Sequence, residues 1–329
     1  MSNEIIEKVK ATFLDDTYII PQDETIYRLD QHGDRNYFKI DENGNPVVKA
    51  STTTIIKKFT AMSPYLLQWW CKNGYDESKA LLKESSMLGT FLHILWGKLL
   101  LKYNIDLSEA GIKAELYKYF EQENETFNYD FKKWHKKIKK DLIGFVKWVQ
   151  DYEVEPIAVE MSIIGKDASG TLDLVCRMNF VNKEESLYPK TERIKALIDF
   201  KSGENAFYDE YAIQLEGYRD LWNEKFPDEE IKRIFSYGCI EKITKGTKNF
   251  YRFEEQTFNP VALRWYAFKA LYNQEHPKLE LEKRTEISEG IINIESNFES
   301  LLVEIDPLNF MEVDNAETQR SQDANNRQD

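Results

Sequence analysis

The sequence has few of the features that mark secreted, membrane-spanning or metal-cluster proteins. It contains three cysteines, and Cys71, Cys176 and Cys239 are scattered rather than clustered. An odd number of scattered cysteines indicates a reducing compartment and predicts neither a disulfide framework nor a cysteine metal site. No apolar run approaches the roughly eighteen residues of a transmembrane helix, and the N-terminal segment MSNEIIEKVK lacks the apolar core of a secretory signal. We therefore expect a cytoplasmic protein with no membrane partner.

Positively charged residues are fewer than negatively charged ones. The chain has 44 Lys and Arg residues against 57 Asp and Glu residues, which gives a formal net charge of −13. This charge disfavours a protein that coats nucleic acid by bulk electrostatics, but it leaves room for binding through a local basic patch or bound cations. Residues 131–148, FKKWHKKIKKDLIGFVKW, form such a patch, and their apolar residues recur at helical spacing. The lysines of this predicted amphipathic helix, including Lys132, Lys136 and Lys139, form either a solvated face or a phosphate-contacting face.

Patterns along the chain predict strands, then helices, then a sheet. Residues 1–50 have the pattern of short N-terminal strands, with a hairpin in which NYFKI and PVVKA flank the turn signal DENGN. Ser51 or Thr52 is expected to cap a helix, and residues 61–150 are mostly helical in pattern. Strands are predicted in EPIAVEMSIIG, GTLDLVCRMNF and RIKALIDFKSG, a helix in YAIQLEGYRDLWNEKF, and two late strands in IKRIFSYGCIE and NFYRFEEQTF.

This order of elements predicts an α/β fold with a mixed central β-sheet flanked by helices and with an N-terminal helical region. We expect one domain over residues 51–310, with a helical insertion at about 61–150. Residues 259–303 are predicted to return to helix. Residues 311–329 are polar and are expected to form a disordered tail.

Two of the predicted strands carry acidic residues among apolar ones. Because side chains alternate along a strand, Asp199 and Lys201 in ALIDFKSG share one face, while Ile198 and Phe200 take the other. If the strand that contains Asp173 pairs with this one, Asp173 lies near Asp199. Two buried like charges require a raised pKa or a bound cation, and aspartate oxygens suit Mg²⁺ or Mn²⁺.

A simpler interpretation of these residues is structural. Asp199 and Lys201 alone could form an ordinary ion pair at a sheet edge, with Asp173 exposed to solvent. In the metal-site interpretation, Lys201 would instead orient the nucleophile and neutralise charge that develops in the transition state. The Asp-x-Lys triplet does not decide between the two by itself, since it recurs elsewhere in the chain, for example at residues 130–132.

Other residues also have a structural and a functional interpretation. His93 in GTFLHILWGKLL points to the inner side of a predicted helix, as either a hydrogen-bonded core residue or a ligand. Glu160 is another acid among apolar neighbours. Gln214 and Tyr218 are i, i+4 partners on the helix after the Asp-x-Lys strand, where they could hold a phosphate, order Lys201 or form a surface pair. The tryptophans that are either core residues or stacking surfaces for bases are Trp69, Trp70, Trp96, Trp134 and Trp148.

Taken in order, these motifs resemble the RecB-type nucleases of the PD-(D/E)XK superfamily, a branch that includes CRISPR-adaptation, phage and organellar exonucleases. The pattern of that branch is a Gly-x-x-x-His helix, a Glu-bearing strand, a Gly-x-x-Asp strand, an Asp/Glu-x-Lys strand and a Gln-x-x-x-Tyr helix. Here the motifs are GTFLH, VE, GTLD, DFK and QLEGY. The segment ASTTTIIKKF is also similar to the Ser-x-Thr segment that often opens such domains. The resemblance covers roughly residues 48–225.

The resemblance implies a restriction-endonuclease-like core and a set of metal ligands. His93, Asp173 and Asp199 would be ligands, with the Phe200 carbonyl as a further candidate, and Glu160 would assist through water at the metal. The gap between Asp173 and Asp199 is long for the family, so the hairpin between them must be extended. The cysteines that hold an iron–sulfur cluster in some members are absent from this chain, so we predict no cluster.

The resemblance also implies an activity. Lys201 would be the catalytic lysine, and Gln214 and Tyr218 would organise the site or contact DNA. We therefore predict a deoxyribonuclease that depends on one or two Mg²⁺ or Mn²⁺ ions and acts as an exonuclease on single-stranded DNA or duplex ends, in recombination, repair or phage DNA processing. A protein partner in recombination or repair is a further expectation. The alternatives are a catalytically silent protein that binds DNA ends or a partner, and a structure-specific endonuclease.

Overall fold

The computed structural model describes residues 26–31, 34–42, 46–123, 125–182, 190–202, 208–239 and 251–277, together with 287–288 and 291–292. The chain divides into two compact units, Met1–Glu280 and Leu281–Asp329. The first unit contains every element that the sequence motifs occupy.

The first unit opens with an antiparallel sheet of three strands in the order β1-β2-β3. These strands are β1 (Tyr27–Gln31), β2 (Asp34–Ile40) and β3 (Pro46–Ala50). The predicted hairpin between β2 and β3 is confirmed, because Phe38 pairs with Val48. Its turn residues 43–45 lie outside the described part of the chain.

Helices follow where the sequence predicts them. They are α1 (Thr52–Phe59), α2 (Pro64–Asn73), α3 (Tyr75–Leu100), α4 (Glu109–Gln122) and α5 (Phe131–Asp151). The side chains of Ser51, Ser108 and Asp130 accept backbone N–H groups at the starts of α1, α4 and α5. Each cap satisfies a donor that has no partner within its helix, which fixes where the helix begins. Of the two predicted caps, Ser51 and Thr52, the structure has Ser51.

The central sheet has five strands in the order β4-β5-β6-β7-β8. They are β4 (Glu155–Ile164), β5 (Ser169–Asn182), β6 (Lys190–Lys201), β7 (Arg233–Cys239) and β8 (Tyr251–Glu255). Neighbours are antiparallel except β6 and β7, which are parallel and are connected through α6 (Asp209–Lys225). Helix α7 (Arg264–Glu275) follows β8. This is the mixed sheet flanked by helices that the sequence predicts, and the extended β5–β6 hairpin is also present.

Each face of the central sheet is covered by its own apolar core. The first core joins the sheet to α3, α4 and α5, and the second joins the opposite face to α1, α6 and α7. Trp96, Trp134 and Trp148 are fully buried in the first core, so the structural interpretation of these three tryptophans is correct. Trp69 and Trp70 differ, because they lie on α2, where no residue is buried.

The second unit contains two short antiparallel strands in its described part, β9 (Ile287–Ser288) and β10 (Ile291–Ile292). The prediction of helix over residues 259–303 is therefore correct for α7 and wrong at these two strands. Their isoleucines are β-branched, which favours extended backbone over helix. The predicted domain boundary at residue 310 and the predicted tail at 311–329 lie outside the described residues.

Among the described residues, no helix combines the length and the apolarity that crossing a membrane requires.

Helix α6 approaches α1 so closely that position 217 has room for a glycine alone. A Cβ atom there would lie 2.4 Å from Thr52 Cγ2 and 3.2 Å from the Trp265 ring. We expect Gly217→Ala to lower the free energy of unfolding by about 1–3 kcal/mol, because the two helices must move apart. Chemical denaturation measures this change.

Gly97→Ala is the matched control for this prediction. Gly97 also lies inside a helix, but its added Cβ would meet Val159 Cγ1 at 3.6 Å, an ordinary contact. Helix propensity then predicts a gain of up to about 1 kcal/mol in the free energy of unfolding. Equal effects of the two substitutions would contradict the close approach of α1 and α6.

Candidate metal centre

The carboxylates of Glu160, Asp173 and Asp199 lie in one row across three neighbouring strands. On β4 and β5, Val159 pairs with Leu174 and Met161 pairs with Leu172, which places Glu160 opposite Asp173. The β5–β6 register, extended by one residue beyond the pair Leu174 and Ile198, places Asp199 opposite Asp173 as well. The predicted proximity of Asp173 and Asp199 is therefore a consequence of strand register.

Side-chain alternation breaks at this row on β4 and β5. Glu160 has a φ of +47°, in the left-handed region that side-chain-bearing residues rarely adopt. Alternation would place Val159 and Met161 on one face, but they belong to opposite cores. Leu174 and Leu172 on β5 also belong to opposite cores. The three acidic residues of the row line a cavity between α3 and the sheet.

His93 on α3 completes a group of three possible ligands. Its Nδ1 lies 3.2 Å from Glu160 Oε1 and 3.8 Å from Asp173 Oδ1. One ligand atom from each of these three residues lies within 4.8 Å of the others. The imidazole packs against the rings of Trp96 and Phe200, which fix its orientation. The inward direction predicted for His93 thus brings it to the carboxylates.

Burial and neighbouring charges perturb the protonation of this group. Burial raises the pKa of Asp173 and of Asp199 to about 6, and the nearest carboxylate on each adds to that rise. Burial lowers the pKa of His93, but the charges of Asp173 and Glu160 outweigh it and raise that pKa to about 9. Asp173, Asp199 and His93 therefore keep protons at pH values at which the isolated side chains would release them. A bound cation can take the place of those protons.

Asp199 and Lys201 share a face of β6, as alternation predicts. Lys201 Nζ lies 2.7 Å from Asp199 Oδ2. The second oxygen, Asp199 Oδ1, is buried and has no hydrogen-bond partner among the described residues. The ion pair of the structural interpretation is therefore present, but it lies on the central strand rather than at a sheet edge, and Asp173 is buried rather than exposed. A buried carboxylate oxygen without a donor is the environment that a cation ligand requires before the cation binds.

Gln214 and Tyr218 on α6 hold Lys201 in place. Lys201 Nζ donates to Gln214 Oε1 at 3.1 Å, and Gln214 Nε2 donates to the Tyr218 hydroxyl at 2.9 Å. The ammonium also lies 4.3 Å from the centre of the Tyr211 ring. Of the three interpretations of this pair, the one in which it orders Lys201 describes these contacts. Burial opposes the charge of Lys201, but Asp199 and Asp173 outweigh it and raise the pKa above its usual value.

The glycines of GTFLH and GTLD permit two close approaches around the site. A Cβ at Gly89 would lie 2.7 Å from Ser202 Oγ, and a Cβ at Gly170 would lie 2.7 Å from the Tyr218 ring. Gly89 thus lets α3 approach the end of β6. Gly170 lets β5 approach α6.

The Ser-x-Thr segment connects the N-terminal sheet to the site. The hydroxyl of Thr52 donates to the Ser169 carbonyl at the start of β5. Thr54 Oγ1 both accepts from the Arg35 N–H and donates to the Arg35 carbonyl, each at 2.8 Å. Arg35 and Thr53 consequently line the cavity. Sequence reasoning missed Arg35, because nothing in its local pattern distinguishes it from a surface strand residue.

The cavity has a volume of about 250 Å³. The predicted residues that line it are His93, Glu160, Asp173, Asp199, Phe200, Lys201, Gln214 and Tyr218. Lys132, Lys136 and Lys139 do not line it; they are exposed on α5, whose other side is buried in the first core.

These donors fit a divalent cation. His93, Glu160 and Asp173 could hold a metal ion, and the free oxygen of Asp199 faces the same cavity. Carboxylate oxygens suit Mg²⁺, and an imidazole among them suits Mn²⁺ as well. The resemblance implies an indirect role for Glu160, whereas in the structure its carboxylate lies 3.2 Å from His93 Nδ1 and within the group of possible ligands. The choice between Mg²⁺ and Mn²⁺ and the Phe200 carbonyl as a ligand stay predictions.

No protein-family model and no curated protein matches this chain. The resemblance to RecB-type nucleases therefore rests on the five motifs and stays a prediction.

A bound metal should stabilise the fold. With Mn²⁺ or Mg²⁺ at about one hundred times its Kd, mass action predicts a gain of about 2.7 kcal/mol, or several degrees in Tm. Asp173→Asn should remove most of that rise, because it deletes a ligand charge. Thermal unfolding with and without the ion measures it.

Asp151→Asn is the control, because Asp151 pairs with Lys147 on α5 rather than with the ligand group. It should keep the full metal-dependent rise. A rise that is unchanged in Asp173→Asn would mean that the ions bind elsewhere.

Metal affinity should increase with pH. His93 must lose its proton to offer a nitrogen, and its folded pKa of about 9 lies above the unfolded value of about 6.5. The protonated His93 therefore stabilises the metal-free fold fully below pH 6.5, and this contribution is lost as pH rises through 9. Between pH 6.5 and 8.5 we expect tighter Mn²⁺ binding with proton release, measured by calorimetry in buffers of different ionisation enthalpy.

His93→Gln should lose this proton release, whereas His135→Gln should keep it, because His135 bonds to the Leu107 carbonyl away from the site. An affinity that does not change with pH would argue against His93 as a ligand.

Proposed function

We propose that the protein is a metal-dependent nuclease that hydrolyses phosphodiester bonds in DNA. The observation that carries this proposal is that one cavity brings together a possible metal-ligand group and a partly buried, positively charged lysine. The ligand group is His93, Glu160 and Asp173, and the lysine is Lys201. The four residues come from α3, β4, β5 and β6, so no single local motif brings them together.

A cavity lined by carboxylates repels a phosphate unless cations are present. His93, Glu160, Asp173 and Asp199 would hold a Mg²⁺ or Mn²⁺ ion there, and that ion would polarise the phosphate and lower the pKa of water. The chain supplies a dry and shaped environment for this chemistry, since Asp173 and Asp199 are buried. The same burial strengthens every electrostatic interaction in the cavity.

Lys201 contributes positive charge at this site. Its raised pKa keeps the ammonium protonated at neutral pH, so it neutralises charge on the phosphoryl oxygens and does not act as a base. Gln214 and Tyr218 hold the side chain in one orientation, which removes the entropy loss of ordering it during the reaction.

Arg35 supplies a second cationic side chain at the cavity. A guanidinium matches two phosphate oxygens at once, so Arg35 is suited to hold a phosphate of the substrate. The backbone hydrogen bonds to Thr54 fix the strand from which it extends. In this proposal the N-terminal sheet therefore belongs to the substrate site.

Contacts farther along the DNA are assigned to the helix α5 lysines. Lys132, Lys136 and Lys139 are exposed, in contrast to the neighbouring Lys137, which pairs with Asp141. The net charge of −13 repels DNA as a whole. Contacts between these lysines and phosphates outside the cavity would attract DNA locally, to this one surface.

The proposed mode of action is that of an exonuclease in DNA recombination, repair or phage DNA processing, and its support is the resemblance of the motifs. A structure-specific endonuclease would use the same cavity. End-labelled linear DNA and covalently closed circular DNA separate the two modes, because an exonuclease degrades the linear substrate alone.

Replacing the lysine tests the chemistry. Lys201→Ala should lower turnover of labelled DNA in Mn²⁺ by at least about 10²-fold, as for other groups that stabilise transition-state charge, and should largely spare DNA binding. Turnover is measured by release of labelled nucleotides, and binding by fluorescence anisotropy.

Lys195→Ala is the matched control, because Lys195 lies on the same strand and pairs with Glu229 outside the cavity. Its turnover should stay near that of the wild-type protein. A wild-type protein that binds DNA but hydrolyses none with Mg²⁺ or Mn²⁺ would favour the catalytically silent alternative.

A further inference from the structure

Helix α2 has an unusual surface for its composition. Its sequence, PYLLQWWCKN, is rich in large apolar and aromatic residues, yet none of them is buried. Tyr65 is 82% exposed and Leu67 is 54% exposed. Exposed apolar residues that lie together, unlike isolated ones, usually mark a binding surface.

Helix α2 forms one wall of a groove of about 880 Å³. The aromatic residues that line it are Tyr65, Trp69, Tyr208 and Tyr211, and we call this surface the aromatic groove. Tyr65 and Trp69 belong to α2, whereas Tyr208 and Tyr211 lie at the start of α6. The groove thus lies between α2 and the start of α6, the helix whose Gln214 and Tyr218 line the cavity of the candidate metal centre.

One side chain, Tyr211, connects the aromatic groove to a residue of that centre. The Tyr211 ring lines the groove, and its centre lies 4.3 Å from Lys201 Nζ. A polymer whose phosphate lies at Lys201 would therefore have its neighbouring unit at the entrance of the groove.

The charge of the groove indicates which part of that polymer it fits. Its lining has one lysine, Lys57, and one carboxylate, Glu210, so it offers little net charge to phosphates. Its lining has four aromatic rings instead, of which Tyr65 is 82% exposed. Bases stack on such rings irrespective of their identity, while the phosphates stay in solvent. In a duplex the base faces are already stacked on one another, so they are not accessible to these rings.

We propose that the aromatic groove binds the bases of an unpaired DNA strand beside the scissile phosphate. This inference rests on the proposed nuclease function and adds its substrate class, single-stranded DNA. It also gives Tyr65 and Trp69 of α2 a role, since their partners are the bases rather than another element of the fold.

The test compares strands that differ in their bases. Labelled oligothymidine, an abasic strand of the same length and a duplex are bound to the full chain in Ca²⁺, a cation that takes oxygen ligands and keeps the cavity from repelling the phosphates. The strands are checked for intact length after each measurement. The abasic strand carries the same phosphate charge but has no rings to stack. The wild-type protein should bind oligothymidine about tenfold or more tightly than the abasic strand, as expected for stacking of at least one base.

Variants then locate the stacking surface. Tyr65→Ala and Trp69→Ala should each reduce the affinity for oligothymidine by roughly tenfold and leave the affinity for the abasic strand unchanged. Tyr117→Ala is the matched control, because Tyr117 is a 64% exposed tyrosine on α4 that does not line the groove. This variant should bind all three ligands as the wild-type protein does.

The outcomes separate this inference from the proposed function. If oligothymidine affinity is the same in Tyr65→Ala, Trp69→Ala and the wild-type protein, the groove assignment is overturned, even when Lys201→Ala abolishes hydrolysis. The groove would then be a surface for a protein partner. Equal wild-type affinity for oligothymidine and the abasic strand would also overturn it. Loss of hydrolysis in all metals, with base-dependent binding retained at the groove, would instead overturn the nuclease proposal alone.

Discussion

Strand register forces three carboxylates into one row of a largely buried site, and the rest of the candidate metal centre depends on that constraint. Register cannot shift by one residue without exchanging the two faces of a strand, so the apolar cores on both sides of the sheet lock the row in place. Burial is the main cause of the raised pKa values of Asp173 and Asp199, and the charge of the nearest carboxylate raises each pKa further. His93 above the row and Lys201 beside it reduce that repulsion, and the remaining free oxygen of Asp199 provides a place for a cation.

Two helices, α3 and α6, bring further side chains to this row. Helix α3 brings His93 to it, and Gly89 allows the approach. Helix α6 covers the opposite face, and its Gln214 and Tyr218 extend to Lys201 in a chain of hydrogen bonds. His93, Gln214 and Tyr218 come from separate helices, and each helix has its own contacts with an apolar core. Tertiary packing therefore sets the distances between these side chains, as a preorganised site requires.

Local rules predicted the parts of the fold that depend on nearby residues. Alternation placed Asp199 and Lys201 on one face, and capping preferences restricted the start of α1 to Ser51 or Thr52. Such rules failed where distant packing decides the outcome. Arg35 reaches the cavity because the N-terminal sheet is joined to β5 through the Ser-x-Thr segment, and no pattern around residue 35 encodes that contact. The order of the motifs predicted which residues share a site, but not that Glu160 lies as close to His93 as a ligand would.

The left-handed backbone at Glu160 has a consequence for how this chain can change. A glycine at that position would relieve a conformational cost on the order of 1–3 kcal/mol, and an asparagine would tolerate it better than glutamate does. Either would lose the carboxylate. Selection for stability alone would therefore replace glutamate at this position. Thermostabilising substitutions found in a library would tend to remove the Glu160 carboxylate from the cavity while raising the free energy of unfolding. Residue 160 is thus a position where stability and the chemistry of the site favour different amino acids.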